Sequence, residues 1–268
     1  MLDSMKLAEK FKKNLLSRKL DLNTFTQVQN LSAQHVHKTV YFVDSNVQNI
    51  DLINPQINQL LLIVLDHQKI DLFMRFEKLT DFNFKALAGE DSQINLNVLI
   101  EQESIDSKLD LELIACAKNA NVNMNIVYDL SGKSELDLRT KLSFEDANNT
   151  GEMKINGVLD GKSFGKSFAE IFISPKANLT DSQMRQEVLV LSDSCRNQLT
   201  PALEILTDDV KAAHGVSVSQ VPDEVLFYFE SRGVSKTCAK KLYARALKEK
   251  LFSKKILCDN FKGIYFDL

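Results

Sequence analysis

The sequence predicts a mainly β protein whose strands stack into a solenoid-like β-helix or a long β-sandwich. First, apolar and polar residues alternate with a period of two along the middle of the chain. Second, clear strand starts at Ile94, Leu109, Val122 and Leu136 are 15, 13 and 14 residues apart, which leaves no room for helices between them. Third, the connections are short and rich in Asn and Gly. One strand cannot bury its apolar side alone, so stacking must close the core. The pattern does not separate the two architectures.

Composition limits the function classes. The chain has 268 residues, of which 44% are hydrophobic, so one or two packed domains are expected. Its 33 Lys and Arg residues against 36 Asp and Glu residues give a net charge of -3, which argues against a protein that mainly coats nucleic acid or anionic lipid. The longest apolar run, Leu60 to Leu65, is far shorter than the roughly 20 residues of a membrane-spanning helix.

The N-terminal region and the cysteines indicate a cytoplasmic protein. Residues 1–22 mix lysines with acids and have neither the apolar core nor the cleavage site of a signal peptide. The four cysteines, Cys116, Cys195, Cys238 and Cys258, lack C-x-x-C spacing and are expected to be reduced thiols.

Three regions follow in order. Residues 1–33 are predicted to form an amphipathic helix, with apolar residues every three or four positions up to about Leu22, and a polar connector. Residues 34–219 form the β core. Residues 220–268 form a helical region: Pro222 and the two acids after it favour a helix start, Gly233 favours its end, and Ser235 caps a second helix that runs to about Ser253.

The second helix is strongly basic, and this leaves two interpretations open. A helix, a glycine-containing turn and a basic helix are typical of nucleic-acid-binding modules, whereas a charge run is more often a solvated face. Apolar positions on both helices also predict a face that packs on the β core or on another protein. They are Val225, Leu226, Phe229, Leu242, Ala246 and Phe252.

A more specific pattern lies between about Phe164 and Leu247. It contains the run Pro201-Ala202-Leu203-Glu204-Ile205, the turn Asp208-Asp209-Val210, the strand His214-Gly215-Val216-Ser217-Val218 and the helix Leu226-Phe227-Tyr228-Phe229-Glu230-Ser231-Arg232-Gly233. In these motifs the chain resembles the SufB/SufD family of iron–sulfur cluster assembly proteins.

The resemblance implies a right-handed parallel β-helix that pairs with a SufB- or SufD-like chain, or with itself, as a dimer. It also implies C-terminal helices that dock an ABC-type ATPase, SufC. The His-Gly pair at 214 and 215 is similar to the SufD type, and Gln186 stands where SufB-type chains carry a sulfur-handling cysteine. The role implied is that of a scaffold subunit which holds a transient iron–sulfur cluster and is not an enzyme.

Two residues are candidates for that cluster. His214 could ligate iron through a neutral ring nitrogen, and Cys195 could supply a thiolate or carry a persulfide. The alternatives are a hydrogen-bonded histidine at a strand end and a buried thiol that acts as a small hydrophobe. Cys116 lies in an apolar context and is expected in the core.

Other site types have weaker support. The pair His35 and His37 shares one face of a strand, but two imidazoles alone are a weak metal site. No G-x-x-x-x-G-K-[ST] loop is present, so the chain is not expected to bind ATP itself. A carbohydrate-active β-helix enzyme is disfavoured because the chain has no Trp and only five Tyr.

Overall fold

The computed structural model describes residues 39–43, 47–53, 55, 57–78 and 81–251. The predicted N-terminal helix, the pair at His35 and His37, Cys258 and the chain from Phe252 onward lie outside the described residues.

The described residues form fourteen strands followed by two helices. The strands are β1 Thr39–Val43, β2 Val47–Ile53, β3 Gln59–Val64, β4 Lys69–Phe76, β5 Asp81–Ala88, β6 Gln93–Glu103, β7 Asp106–Ala115, β8 Asn121–Ser131, β9 Glu135–Phe144, β10 Thr150–Leu159, β11 Phe164–Ile173, β12 Thr180–Val190, β13 Arg196–Ile205 and β14 Val210–Gln220. The helices are α1, Asp223–Glu230, and α2, Lys236–Leu251.

Successive strands alternate between two parallel sheets. Odd-numbered strands form one seven-stranded sheet, here sheet A, and even-numbered strands form the other, sheet B. All the pairings are parallel, and each strand pairs with a strand two places away in the chain. This arrangement is a parallel β-solenoid, which confirms the predicted mainly β fold class and excludes an antiparallel sandwich. One coil therefore contains two strands; Asn95 and Asn123, which bond on adjacent coils, are 28 residues apart.

The core lies between the two sheets. Along β8 and β9 the inward residues are buried, and the outward residues are half-buried or exposed apart from Val127 and Ser143, as the alternating sequence predicts. The same position on successive coils carries similar side chains, for example Leu113 and Leu142, which are both 0% exposed. The outward face of sheet A carries cross-strand ion pairs such as Lys85 with Glu112 and Lys141 with Glu170.

The end of α1 and the start of α2 are capped as their sequences predict. The N–H of Cys238 donates to Ser235 Oγ at the start of α2, a side-chain N-cap. Gly233 has φ +80° after α1, and the N–H of Val234 donates to the Phe229 carbonyl in the manner of a Schellman cap. Both helices pack on the outer face of sheet B through an apolar cluster. Its buried members are Val158, Leu189, Leu191, Val221, Leu226, Ala239 and Ala244.

Candidate functional site

Among the described residues, the last coil, formed by β13 and β14, has no strand on its far side. Each is the terminal strand of its sheet. Residues that occupy inward positions in register with the core are therefore uncovered: Val218 is 50% exposed, whereas Val188, its partner on β12, is 2% exposed. Val216 and Ile205 are likewise 41% and 38% exposed. The solenoid thus ends in an open apolar surface flanked by two strand edges.

His214 lies on this open end. It is an exposed residue in the middle of β14, not at the strand end where the sequence suggested it. Its register partner on β12 is Met184, which is 2% exposed, so the imidazole belongs to the inward row that the missing next coil would cover. This position lets His214 face a partner chain stacked on the last coil.

Cys195 lies in the turn before β13 and continues a column of serines. The N–H of Arg196 donates to the Ser163 carbonyl, and that of Phe164 donates to the Ser134 carbonyl, so Ser134, Ser163 and Cys195 are equivalent on successive coils. The half-buried Cys195 thiol lies 3.6 Å from the Gly161 carbonyl oxygen and 3.8 Å from Ser163 Oγ. The Cys195 thiol thus occupies the place in this turn that a serine hydroxyl takes on the two preceding coils.

No side-chain contact joins Cys195 and His214 in the described residues, since one lies in a turn and the other in the middle of β14. Within that same part of the chain, no group of three or more His, Cys, Asp or Glu side chains is arranged to hold a metal ion. Any cluster that uses His214 must take further ligands from elsewhere.

Gln186, where the resemblance to SufB-type chains implied a sulfur-handling cysteine, is fully buried one coil below β14. Its side-chain carbonyl accepts a hydrogen bond from Ser167 Oγ at 2.7 Å, while its amide nitrogen has no hydrogen-bond partner among the described residues. A neutral amide therefore occupies this interior position, in register with Val216 on the last coil.

Cys116, expected in the core, is half-buried and packs against an apolar cluster on the outer side of sheet A, not between the two sheets. Burial first, and then the carboxylates of Glu145 and Glu112, raise the pKa of the Cys116 thiol to about 12. The group is therefore a neutral thiol at physiological pH and a poor nucleophile or metal ligand.

The helical platform, defined as α1 and α2, has one face on the sheet and one in solvent. Leu226 is buried against the core, with Val225 and Phe229 packed beside it, so the predicted apolar face of α1 covers this chain's own sheet. The face predicted for α2 was wrong: the residues that pack are Ala239, Tyr243, Ala244 and Leu247, whereas Ala246 is exposed and Phe252 lies outside the described residues. By contrast, Phe227 is 74% exposed and Tyr228 is 52% exposed. The sequence analysis missed this pair because both residues lie off the apolar stripe; a large aromatic pair at such positions was the available signal.

The exposed aromatic pair is supported by a charged neighbour. The Arg232 guanidinium lies 3.7 Å from the centroid of the Tyr228 ring, a cation–π contact, and Tyr228 meets Phe229 edge to face. Stacking holds the Tyr228 ring in place although the ring is half in solvent.

Two lysines of the basic helix bond to residues of the β-solenoid on which the helix packs. Lys240 Nζ donates to the Leu191 carbonyl, and Lys248 Nζ bonds Asp129 and lies 3.9 Å from Glu101. The Lys248 side chain is only 15% exposed. The positive charges of α2 are therefore divided between a docking face and a solvent face, which weakens the nucleic-acid-binding interpretation.

Neither α1 nor α2, the helices in the part of the chain that the structure describes, is long and apolar enough to cross a lipid bilayer.

Comparison with known proteins adds a family match. Residues 56–247 match the family described as "SUF system FeS cluster assembly, SufBD core domain". The match begins well before Phe164, the first residue of the resemblance seen in the sequence, and includes the open last coil and most of the platform.

Three curated proteins illustrate the similarity. The iron–sulfur cluster assembly protein SufD of Escherichia coli is 35% identical over 81 residues, 30% of this chain and 19% of that protein. SufD of Bacillus subtilis is 38% identical over 66 residues, 25% of this chain and 15% of that protein. An iron–sulfur cluster assembly SufBD family protein of Synechocystis is 26% identical over 113 residues, 42% of this chain and 25% of that protein. The matched segments thus span a quarter or less of each relative.

Proposed function

Since the chain belongs to the SufBD core domain family of the SUF iron–sulfur cluster assembly system, we propose that it is a non-enzymatic scaffold subunit of a SUF-type assembly complex. In this role it pairs through the open end of its solenoid, docks a SufC-like ABC ATPase on its helical platform, and contributes to a site for a nascent cluster. The observation that carries the proposal is that the family match covers both surfaces, the last coil and the platform.

The cluster is the cargo of this scaffold, and His214 is its candidate ligand. A neutral imidazole nitrogen can bind iron, and the exposed side chain on the last coil leaves it accessible to a second chain. Cluster irons need several ligands, so the second chain supplies the remainder. Cys195 is the weaker candidate because its thiol contacts the turn of its own chain.

Copurification tests the proposal as a whole. The full chain, tagged and expressed in its native host, is expected to bring down an ABC-type ATPase together with a SufB-like chain or a second copy. Recovery of neither protein under anaerobic, low-salt conditions would contradict the scaffold role.

The docking surface is tested with the exposed aromatic pair. Phe227→Ala with Tyr228→Ala is expected to weaken ATPase capture at least tenfold, since large aromatic side chains dominate binding energy at interfaces. The unfolding temperature should change little because Phe227 is 74% exposed and Tyr228 is 52% exposed. Leu179→Ala, which truncates a 59% exposed residue on a turn of the β core, is the matched control and should leave capture intact. Equal loss in both variants would contradict docking on α1.

The cluster site is tested by anaerobic reconstitution of the copurified complex. The bound cluster is then measured by its absorbance at roughly 300 to 600 nm, where iron–sulfur clusters absorb. His214→Ala is expected to reduce the cluster bound per complex, and Cys195→Ser is expected to leave it unchanged. A complex with His214→Ala that binds cluster as the wild type does would remove His214 from the site.

A further inference from the structure

Three polar side chains lie inside the solenoid, in the coils below its open end. Tyr128 and Gln186 are 0% exposed, and Ser167 is 1% exposed. Ser167 Oγ donates a hydrogen bond to the Gln186 side-chain carbonyl at 2.7 Å. Among the described residues, neither the Tyr128 hydroxyl nor the Gln186 amide nitrogen has a hydrogen-bond partner. Because nearly all buried polar groups in native proteins bond to protein or to ordered water, both atoms need a partner.

The Tyr128 side chain reaches beyond its own coil. It fills the space over Gly157, its register partner on β10, where a Cβ would collide with the ring and the hydroxyl. On the opposite sheet, a Cβ built at Gly165 on β11 would lie 3.5 Å from the Tyr128 oxygen. The hydroxyl therefore ends beside Gly165, in the interior of the coil formed by β11 and β12.

The Gln186 side chain ends against the same strand. From β12 it crosses the core to Ser167, which lies two residues after Gly165 on the inward side of β11. Inward residues two apart on a strand are separated by roughly 7 Å. A small molecule can bridge atoms at such positions, since two hydrogen bonds of about 2.8 Å span up to about 5.6 Å.

The inward residues of β11 provide the volume for this group. Gly165 and Ser167 are much smaller than the leucines one coil below. On β9 their register partners are Leu136 and Leu138. The Tyr128 hydroxyl and the Gln186 amide extend into the volume that two leucine side chains would fill. A small volume bounded by polar atoms is where ordered water binds in protein interiors.

From these observations we propose that one buried water molecule binds between Tyr128, Gln186 and Ser167. The water accepts hydrogen bonds from the Tyr128 hydroxyl and the Gln186 amide. It donates one to the Ser167 oxygen, whose own proton is on the Gln186 carbonyl. All the side-chain polar atoms of the group then have partners, and about three hydrogen bonds are usual for a buried water. Burial also raises the pKa of the Tyr128 hydroxyl, so the hydroxyl keeps the proton that it donates.

The water links a middle coil to the coil beneath the open end. Tyr128 lies on β8, whereas Ser167 and Gln186 lie on β11 and β12, the strands that pair with β13 and β14. The bridge therefore stabilises the base on which the last coil stacks. It involves only the interior of this chain, so it stands or falls independently of the proposed scaffold role.

The direction of one stability change tests the bridge. Tyr128→Phe keeps the ring and removes the hydroxyl. With the water bound, the variant loses a hydrogen bond, and the urea midpoint of the full chain is expected to fall by at least about 0.2 M. An unchanged or higher midpoint overturns the proposal, because removal of a buried hydroxyl without a partner does not destabilise. Tyr228→Phe, the same change on a ring that is 52% exposed, is the matched control and should shift the midpoint by less than about 0.1 M.

A double substitution tests whether the two side chains share one water. Tyr128 and Gln186 have no direct hydrogen bond to each other, so without a common partner their effects should add. Since either Tyr128→Phe or Gln186→Met breaks the bridge, the double variant is expected to lose at least about 0.1 M less than the sum of the single losses. Additive losses overturn the shared water.

A high-resolution crystal structure of the full chain identifies the bound molecule directly. The expected result is one peak of water-like density within about 3.2 Å of Tyr128 Oη, Gln186 Nε2 and Ser167 Oγ. Density with no such peak, or a peak of a heavier ion, overturns the proposal.

Discussion

The middle coils and the last coil are built from strands of similar length and rhythm, yet they differ in what lies above them. Ile173 on β11 is 0% exposed, and Ile205, its register partner on β13, is 38% exposed. The chain places isoleucine at both positions, but only Ile173 is surrounded by packed side chains. The comparison teaches that residues which stabilise the fold in the middle are available for contacts at the end.

Truncating the two isoleucines should give the largest contrast. Ile173→Ala is expected to lower the free energy of unfolding by about 3 kcal/mol, because it leaves a cavity in a packed core. Ile205→Ala should cost about 1 kcal/mol or less in the monomer, since over a third of the side chain already contacts water. Urea unfolding at low protein concentration measures both. Equal costs would mean that the last coil is covered in the monomer.

Two glycines of sheet B give the next contrast. A methyl group at Gly157 would collide with the buried ring of Tyr128, so Gly157→Ala is expected to cost about 2 kcal/mol through overpacking. Gly215 on β14 has open space at the same atom, and Gly215→Ala should change stability by no more than about 0.5 kcal/mol. Thermal unfolding of the two variants measures both costs, and a large cost at Gly215 would contradict the open space at this outward position.

The serine column predicts the smallest effect. Cys195→Ser restores the residue type of Ser134 and Ser163 and should shift the free energy of unfolding by less than about 0.5 kcal/mol. Ser163→Val, its control inside the closed column, should cost about 1 to 3 kcal/mol because Ser163 is 0% exposed and the larger apolar side chain must fit there. A Cys195→Ser variant that unfolds far more easily would show that the thiol does more than fill the turn.

The strands that sequence analysis found and those it missed differ for a physical reason. β6, β8 and β9 show clean alternation, and their predicted starts at Ile94, Val122 and Leu136 lie one residue after the observed starts. β10 was missed because Gly151 and Gly157 stand at inward positions where the pattern requires large apolar residues. The side chains that fill those places come from elsewhere: a Cβ at Gly151 would lie 2.6 Å from Phe144 Cζ, and Tyr128 fills the space at Gly157.

β3 was missed for a different reason: it has too many apolar residues. Five of its six residues are buried, so alternation is absent from its sequence. Its outward residues Leu61 and Ile63 join an apolar cluster with Leu87 and Ile114 on the outer side of sheet A. A strand with two apolar faces cannot be distinguished from a short buried helix by periodicity.

The candidate site was predicted in part. The sequence motifs singled out His214 and Cys195 as residues, and the structure places one on an open strand and the other in a closed turn. Their cluster roles stay predictions. Whether a residue is exposed at the solenoid end depends on how many coils follow it, which no local motif around His214 encodes.

By itself the sequence determined the strand rhythm, the turns, the two helix caps and the resemblance to the SufBD proteins, because propensity, capping and motif spacing act within a few residues. Only the tertiary structure decided that consecutive strands lie in opposite sheets, which glycines admit Tyr128 and Phe144, and that inward residues of β13 and β14 are exposed at the end of the described solenoid. Those features arise between residues about one coil apart, where stacking and hydrogen-bond direction, not local preference, set the outcome.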